Sequence, residues 1–262
     1  MKFESKTELM QWALQAQYLW LFLDYDGTLA DFAPTPEHIE PQPEVVTLLE
    51  QFTHKPSIRV TILSGRRLQH VRLLVPVSGL FLAGTYGIEL LTPAGEVIQR
   101  IDYDEIRPIL ETIKPQWAQI IGEREGFFLE DKGWSLALHA RFAQDQEAEA
   151  VLSQAMQVVS AELLKDHFRI LGGHKFLELA PQWASKKETV AYLLNQYPLP
   201  DAYLIYIGDD DKDEEAFPLI HAHQGVAIKV WQPSQAERPT EADFFFDTPA
   251  DTCKWLEELV DS

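Results

Sequence analysis

The chain has 262 residues, with 41 Asp and Glu against 22 Lys and Arg, a formal charge of −19. That length and a 46% hydrophobic content allow one large domain or two small ones around a substantial core, while the acidic balance argues against a protein that grips nucleic acid or an anionic membrane. The single cysteine, Cys253, excludes an intramolecular disulfide and a cysteine-rich zinc site, and it suits a reducing cytoplasm.

Residues 1–20 interleave Lys2, Glu4, Lys6 and Glu8 with apolar positions, unlike the unbroken apolar stretch of a signal peptide. No apolar run approaches the length needed to span a bilayer. Short β-type runs follow at 18–24, 58–64, 80–84, 203–209 and 225–230, with helical patterns at 44–52, 68–74, 186–195 and 213–220. Apolar strands alternating with helices predict a parallel sheet in an α/β layer architecture, where ligands bind beyond the carboxyl ends of the strands. Asp24, Ser64 and Asp209 each stand at such an end.

Between 104 and 179 the alternation changes to helix, strand, strand, helix, strand, strand. The strands fall at 127–130, 135–141, 168–171 and 176–179, with a long acidic helix over 145–164. Turns at Lys132-Gly133 and Gly172-Gly173 predict antiparallel hairpins. The expected organisation is therefore an α/β core, 1–103 with 180–262, carrying an inserted α+β module over 104–179.

Four motifs carry chemistry. Asp24-Tyr25-Asp26-Gly27-Thr28-Leu29 puts two carboxylates at a strand end before a turn-permitting glycine. One carboxylate can attack phosphorus while the other protonates a leaving oxygen; the plainer reading is an Asp-Gly turn. Ser64-Gly65-Arg66 offers a hydroxyl and amides for phosphate oxygens, or a plain helix cap. Ser185-Lys186-Lys187 opens a helix with lysines, which the helix dipole disfavours unless something anionic lies there. From 209 to 215 six of seven residues are acidic, a set of oxygen ligands that suits Mg²⁺ and equally an acidic helix start.

Together, in order, spacing and strand-end placement, these motifs resemble the signature of the haloacid dehalogenase (HAD) superfamily. That resemblance implies a Rossmann-like core whose parallel sheet is flanked by helices, with a type 2 cap as the inserted module, closing over the active site. It implies Asp24 as the nucleophile that forms an aspartyl-phosphate, Asp26 as general acid and base, and Ser64 or its amide binding phosphate. Lys186 stabilises charge on Asp24 and the phosphoryl group, and Thr28, Gly65 and Arg66 bind substrate. Mg²⁺ is the implied cofactor, held by Asp24, the Asp26 carbonyl and Asp209, with Asp213 supporting that shell. An acid at Asp26, where transport ATPases of the class carry threonine, favours rapid turnover.

Residues 24–30, 63–66, 129–141 and 177–179, with Gly208-Asp209-Asp210, Asp213-Glu214 and Ala216-Phe217, are similar to the trehalose-6-phosphate phosphatase family. The implied substrate is a small sugar phosphate, with Glu130, Lys132 and Glu178 binding the distal glucose, and a functional link to a separate sugar-phosphate synthase. For the three cap residues the plainer reading is a surface salt bridge. Departures from the family pattern are Tyr86 in place of a histidine, the run 180–187 without its usual basic residue and glycine, and Asp211-Lys212 in place of an Arg-Thr type pair. Rival readings are a phosphatase for another disaccharide or glycosyl-glycerate phosphate, a sugar phosphomutase, and a non-catalytic sensor. Trp117, Trp134 and Trp183 are expected to be buried or half-buried, and His139 a satisfied polar residue.

Overall fold

A computed structural model describes residues 2–32, 39–160, 163–164, 167–231 and 239–262. The chain divides into two compact units, Met1–Gln99 with Ser185–Ser262, and Arg100–Ala184. In chain order the strands are β1 (Tyr18–Leu23), β2 (Ile58–Leu63), β3 (Phe81–Gly84), β4 (Glu89–Leu91), β5 (Val97–Gln99), β6 (Phe128–Asp131), β7 (Leu136–His139), β8 (Phe168–Gly173), β9 (Phe176–Pro181), β10 (Ala202–Gly208), β11 (Val226–Val230) and β12 (Phe244–Phe246). The helices that matter below are α1 (Lys6–Ala13), α2 (Pro43–Thr53), α3 (Leu68–Leu74), α4 (Tyr103–Ile121), α5 (Asp145–Val158), α6 (Lys186–Gln196), α7 (Asp211–Glu214), α8 (Phe217–Ala222) and α9 (Pro249–Asp261).

The first unit holds a sheet ordered β12-β11-β10-β1-β2-β3-β4-β5. Its first six strands are parallel and the last two form an antiparallel edge. β1 lies at its centre, and the two-residue period of the strand sorts its apolar side chains onto opposite faces. Leu19, Leu21 and Leu23 pack with α1, α2, α3 and α9, whereas Trp20 and Phe22 pack with Val190 and Leu193 of α6 and Phe217 and Ile220 of α8. With both faces covered, β1 is apolar throughout rather than alternating. Strand order reverses between β1 and β10, so the crevice beyond their carboxyl ends is the ligand position expected of such sheets.

The second unit is a four-stranded antiparallel sheet ordered β6-β7-β9-β8. One face, with Leu136, Leu138, Leu177 and Leu179, packs on Leu110 and Trp117 of α4 and Val151 and Ala155 of α5. Trp117 is buried and its indole donates to the Ala155 carbonyl at 2.9 Å, and Trp134 is buried as well. Trp183, expected to be buried or half-buried, is 54% exposed.

Several elements differ from the sequence reading. The helix expected over 213–220 is broken into α7 and α8, because Pro218 in the first turn of α8 has no N–H to continue an α7 ladder. The strand glycines Gly172 and Gly173 belong to β8, and Lys175 takes the left-handed turn position at φ 53° instead. The acidic helix stops at Val158 with Val159 extended, and Ala161 and Glu162 of the expected stretch lie outside the described residues. Among the described residues no helix is long and apolar enough to cross a membrane.

Candidate active site

β10, β1 and β2 are neighbours in the sheet, so Asp209, Asp24 and Ser64, each one residue beyond a strand, come to one edge. α6 delivers Lys186 to the same place. Its first turn is secured by Ser185, whose hydroxyl accepts from the Glu188 amide. The Lys186 ammonium donates to Asp24 Oδ1 and to Asp213 Oδ1, both at 2.6 Å. All three side chains are buried. A cation at a helix N-terminus is unfavourable; here two carboxylates offset it.

Asp213 is fully engaged by protein. Its Oδ1 also accepts from the Tyr206 hydroxyl at 2.7 Å, and its Oδ2 accepts from the backbone amides of Asp209 at 3.2 Å and Asp210 at 3.1 Å. Asp210 caps α7 by accepting from the amides of Lys212 and Asp213. Asp209 differs: its Oδ2 is buried and has no hydrogen-bond partner among the described residues. Carboxylate oxygens of Asp24, Asp209 and Asp213 lie within 4.8 Å of one another. Gly27, at φ 87°, is required by this closeness, since a Cβ there would stand 2.7 Å from Asp209 Oδ2.

The electrostatics follow from burial. Desolvation pushes Asp24 up to about 6, Lys186 partly opposing it and the neighbouring Asp210 and Asp26 adding to it. Burial pushes Asp213 up to about 8, again against Lys186. Burial, then Asp210 and Asp24, holds Asp209 well above the usual carboxylate range. Burial works against the Lys186 charge, but Asp213 and Asp24 outweigh it and hold the ammonium well above its ordinary value. When ionised, three carboxylates against one ammonium leave two negative charges uncompensated. A divalent cation with oxygen ligands fits that deficit, with Asp209 Oδ2 offering the unclaimed atom.

Other residues singled out in the sequence are placed as follows. Asp26 is held by Arg66 in a two-pronged ion pair, Nε to Oδ2 at 2.6 Å and Nη2 to Oδ1 at 2.7 Å. The Ser64 amide donates to the Ala83 carbonyl at 3.0 Å, so the hydroxyl, which accepts from the Arg66 amide at 3.1 Å, is the group of Ser64 that can turn to a ligand. Thr28 Oγ1 is buried with no partner among the described residues. Tyr86 packs its ring on Gly65, where a Cβ would lie 2.7 Å from the ring.

Two features escaped sequence reasoning. Tyr206 sits in an apolar strand where only the rule that a buried hydroxyl needs a partner hints at Asp213. Thr85 and Tyr86 both take positive φ, 48° and 55°, in a turn whose amides donate to the carbonyls of Arg66 and Ser64, and Thr85 Oγ1 is another buried hydroxyl with no partner among the described residues.

In the second unit Lys132 Nζ donates to Glu178 Oε2 at 3.0 Å and Ser135 Oγ to Oε1 at 2.6 Å, with Glu178 wholly buried. A surface salt bridge is therefore ruled out for this pair. Glu130 lies 3.0 Å from His139 Nε2, which gives His139 its polar partner. Arg107 and Lys114 clamp Asp131 between them and hold its carboxyl well below the usual range; Arg107 makes the largest contribution, against partial burial.

The family model described as trehalose-phosphatase matches residues 22–250. The chain is 32% identical over 245 residues to the trehalose-phosphate phosphatase of Mycobacterium marinum, covering 92% of this chain and 61% of that protein. It thus spans less than two thirds of the mycobacterial relative's length. It is 31% identical over 233 residues to the probable trehalose-phosphate phosphatase of Sinorhizobium fredii, covering 88% of this chain and 82% of that protein. In fold it is similar to the C-terminal domain of Candida albicans trehalose-6-phosphate phosphatase, with a TM-score of 0.83 at 19% identity over 99% of this chain and 98% of that one. With the family model matching residues 22–250 and 82% of the Sinorhizobium relative covered, the chain belongs to the trehalose-phosphatase family.

Proposed function

We propose that the protein is a Mg²⁺-dependent phosphatase of the HAD type that releases phosphate from trehalose 6-phosphate. The observation that carries this reading is the buried cluster in which Lys186 bridges Asp24 and Asp213 beside the unclaimed oxygen of Asp209. Asp24 attacks phosphorus in line, the phosphorus–oxygen bond to the sugar breaks, and its electron pair leaves on the sugar oxygen, which takes a proton from Asp26. Asp26 then accepts a proton from water as that water attacks the aspartyl-phosphate, freeing phosphate and restoring Asp24. Lys186, the Ser64 hydroxyl and Arg66 are the donors for the charge that develops on the phosphoryl oxygens. Asp24, the Asp26 carbonyl and Asp209 would hold Mg²⁺, with Asp213 orienting Lys186 and the 209–210 backbone; the ion supplies charge neutralisation for attack by one anion on another.

Arg66 forks both oxygens of Asp26 and so fixes the position of the acid and base. Arg66→Lys keeps the charge and loses the fork, and kcat/KM for phosphate release is expected to fall roughly tenfold to a hundredfold. An undiminished kcat/KM would make the fork dispensable.

Sugar recognition is assigned to Glu130, Lys132 and Glu178, whose mixed carboxylates and ammonium match hydroxyls that both donate and accept. The proposed reaction follows that of a separate synthase, in the cytoplasm that the single cysteine suits. The test is phosphate release with Mg²⁺ from trehalose 6-phosphate beside sucrose 6-phosphate, glucose 6-phosphate and glucosyl-3-phosphoglycerate. The expected result is strong preference for the first, lost on chelation and reduced in Glu178→Gln, which keeps the side chain's shape while removing the charge that Lys132 pairs with. Release from another member of the panel would discard the sugar and keep the chemistry.

A further inference from the structure

Register on the second sheet sorts its side chains into rows, because residues directly opposite on neighbouring strands share a face. Leu129, Leu138 and Leu177 lie opposite one another on the face that packs on α4 and α5. On the other face Glu130, Ala137 and Glu178 form one row across β6, β7 and β9, and Phe128, His139 and Phe176 form the next. The three rings of this second row touch in sequence across the strands and are tilted against one another, by 38° at 5.8 Å between centroids from Phe128 to His139 and by 59° at 5.1 Å from His139 to Phe176. Phe128 is 41% exposed, so the unit's own core does not account for it.

The two rows lie two residues apart along each strand, about 7 Å, the breadth of a hexose ring. Between Glu130 and Glu178 stands the small Ala137, which is wholly buried. Lys132 reaches Glu178 and also lies 5.9 Å from the Phe176 ring centroid, while His139 holds Glu130. A pyranose presents a rim of hydroxyls and an apolar C–H face. Carboxylates and an ammonium satisfy the rim, and a flat ring beside them satisfies the face.

We propose that the Phe128–His139–Phe176 row is a stacking platform for the apolar face of a hexopyranose whose hydroxyls are held by Glu130, Lys132 and Glu178, with His139 also positioning Glu130. This rests on the sugar-phosphatase reading and deepens it by naming three recognition residues that the carboxylate–lysine set does not include. The platform makes the site selective for a glycoside over an open-chain or glycerol-type phosphate, which has hydroxyls but no such face.

The test measures calorimetric binding of trehalose, and KM and kcat for trehalose 6-phosphate, on the full chain in three Phe128 variants. Phe128→Ala is expected to weaken trehalose binding and raise KM roughly threefold to tenfold with kcat little changed, the pattern of lost uniform binding. Phe128→Leu keeps apolar bulk without a flat ring and is expected to behave like the alanine variant while melting like wild type. Phe128→Tyr is expected to restore both affinity and KM. Leucine equal to phenylalanine, or alanine without effect, in an enzyme that does hydrolyse trehalose 6-phosphate would overturn the platform alone. A wild-type chain that releases no phosphate from it would overturn the underlying reading and the platform with it.

Discussion

Asp24→Asn is expected to abolish phosphate release from every sugar phosphate, a loss of roughly 10⁴-fold or more, because the amide has the shape of the carboxylate and none of its nucleophilicity. The same change is expected to leave the protein folded, and in metal-free buffer to alter its response to pH. Burial raises Asp24 to about 6 and Asp213 to about 8 in the folded chain, against an ordinary carboxylate value of 3.8. For an acid shifted upward the folded state favours the protonated form. The stabilisation is therefore complete below about pH 4 and is lost as pH climbs through the folded values. With chelator present, the melting temperature should fall between about pH 5 and 8, and Asp24→Asn should remove the lower part of that fall. Acids held low in this protein, such as Asp131 and Asp251, titrate below that window and do not contribute to it. Saturating Mg²⁺ should raise the wild-type melting temperature by roughly 5–10 °C and that of the variant by less. A rate near wild type in Asp24→Asn would sink the nucleophile assignment, and a flat pH profile would sink the account of the buried charge.

The parts of the site that sequence makes legible are those fixed by strand ends. Asp24, Ser64 and Asp209 follow apolar runs long enough to declare themselves as strands, and neighbouring parallel strands bring their ends together. Lys186 is legible through its conflict with the helix dipole after the Ser185 cap. Pairings between distant side chains are not legible. Nothing in the spacing of Asp26 and Arg66 says that they meet in a fork, and nothing around Glu178 distinguishes a surface pair from one with no exposure at all. Tyr206 reads as ordinary apolar packing until its hydroxyl is seen on Asp213. Strands of three residues, such as β4, β5 and β12, are too short for a period-two pattern to emerge. The break between α7 and α8 is foretold only by Pro218, since the acidic run before it suits a continuous helix start equally well.

Lys186→Met should be the most damaging single change to the first unit, because one ammonium serves both chemistry and fold. Its two 2.6 Å contacts are with buried carboxylates. Methionine fills a similar volume, so packing is largely kept while the charge is removed. Asp24 and Asp213 then face each other and Asp209 with no cation. Removing one partner of a buried ion pair costs about 3–5 kcal/mol. That cost is expected to be greatest at alkaline pH, where all three carboxylates ionise, and to shrink as pH falls and they take up protons. Mg²⁺ should recover part of the stability by replacing lost positive charge. It should not recover turnover, since the donor aimed at Asp24 is gone; kcat is expected to fall roughly 10³-fold. Lys186→Arg should not rescue, because a planar guanidinium is larger than the ammonium in a closed pocket and cannot reproduce two contacts that converge on a single nitrogen. Melting curves across pH with and without Mg²⁺ separate the stability effect from the catalytic one. A Lys186→Met enzyme that keeps more than about a tenth of wild-type kcat in Mg²⁺ would show that the bridge between Asp24 and Asp213 is a device of folding and not of phosphoryl transfer.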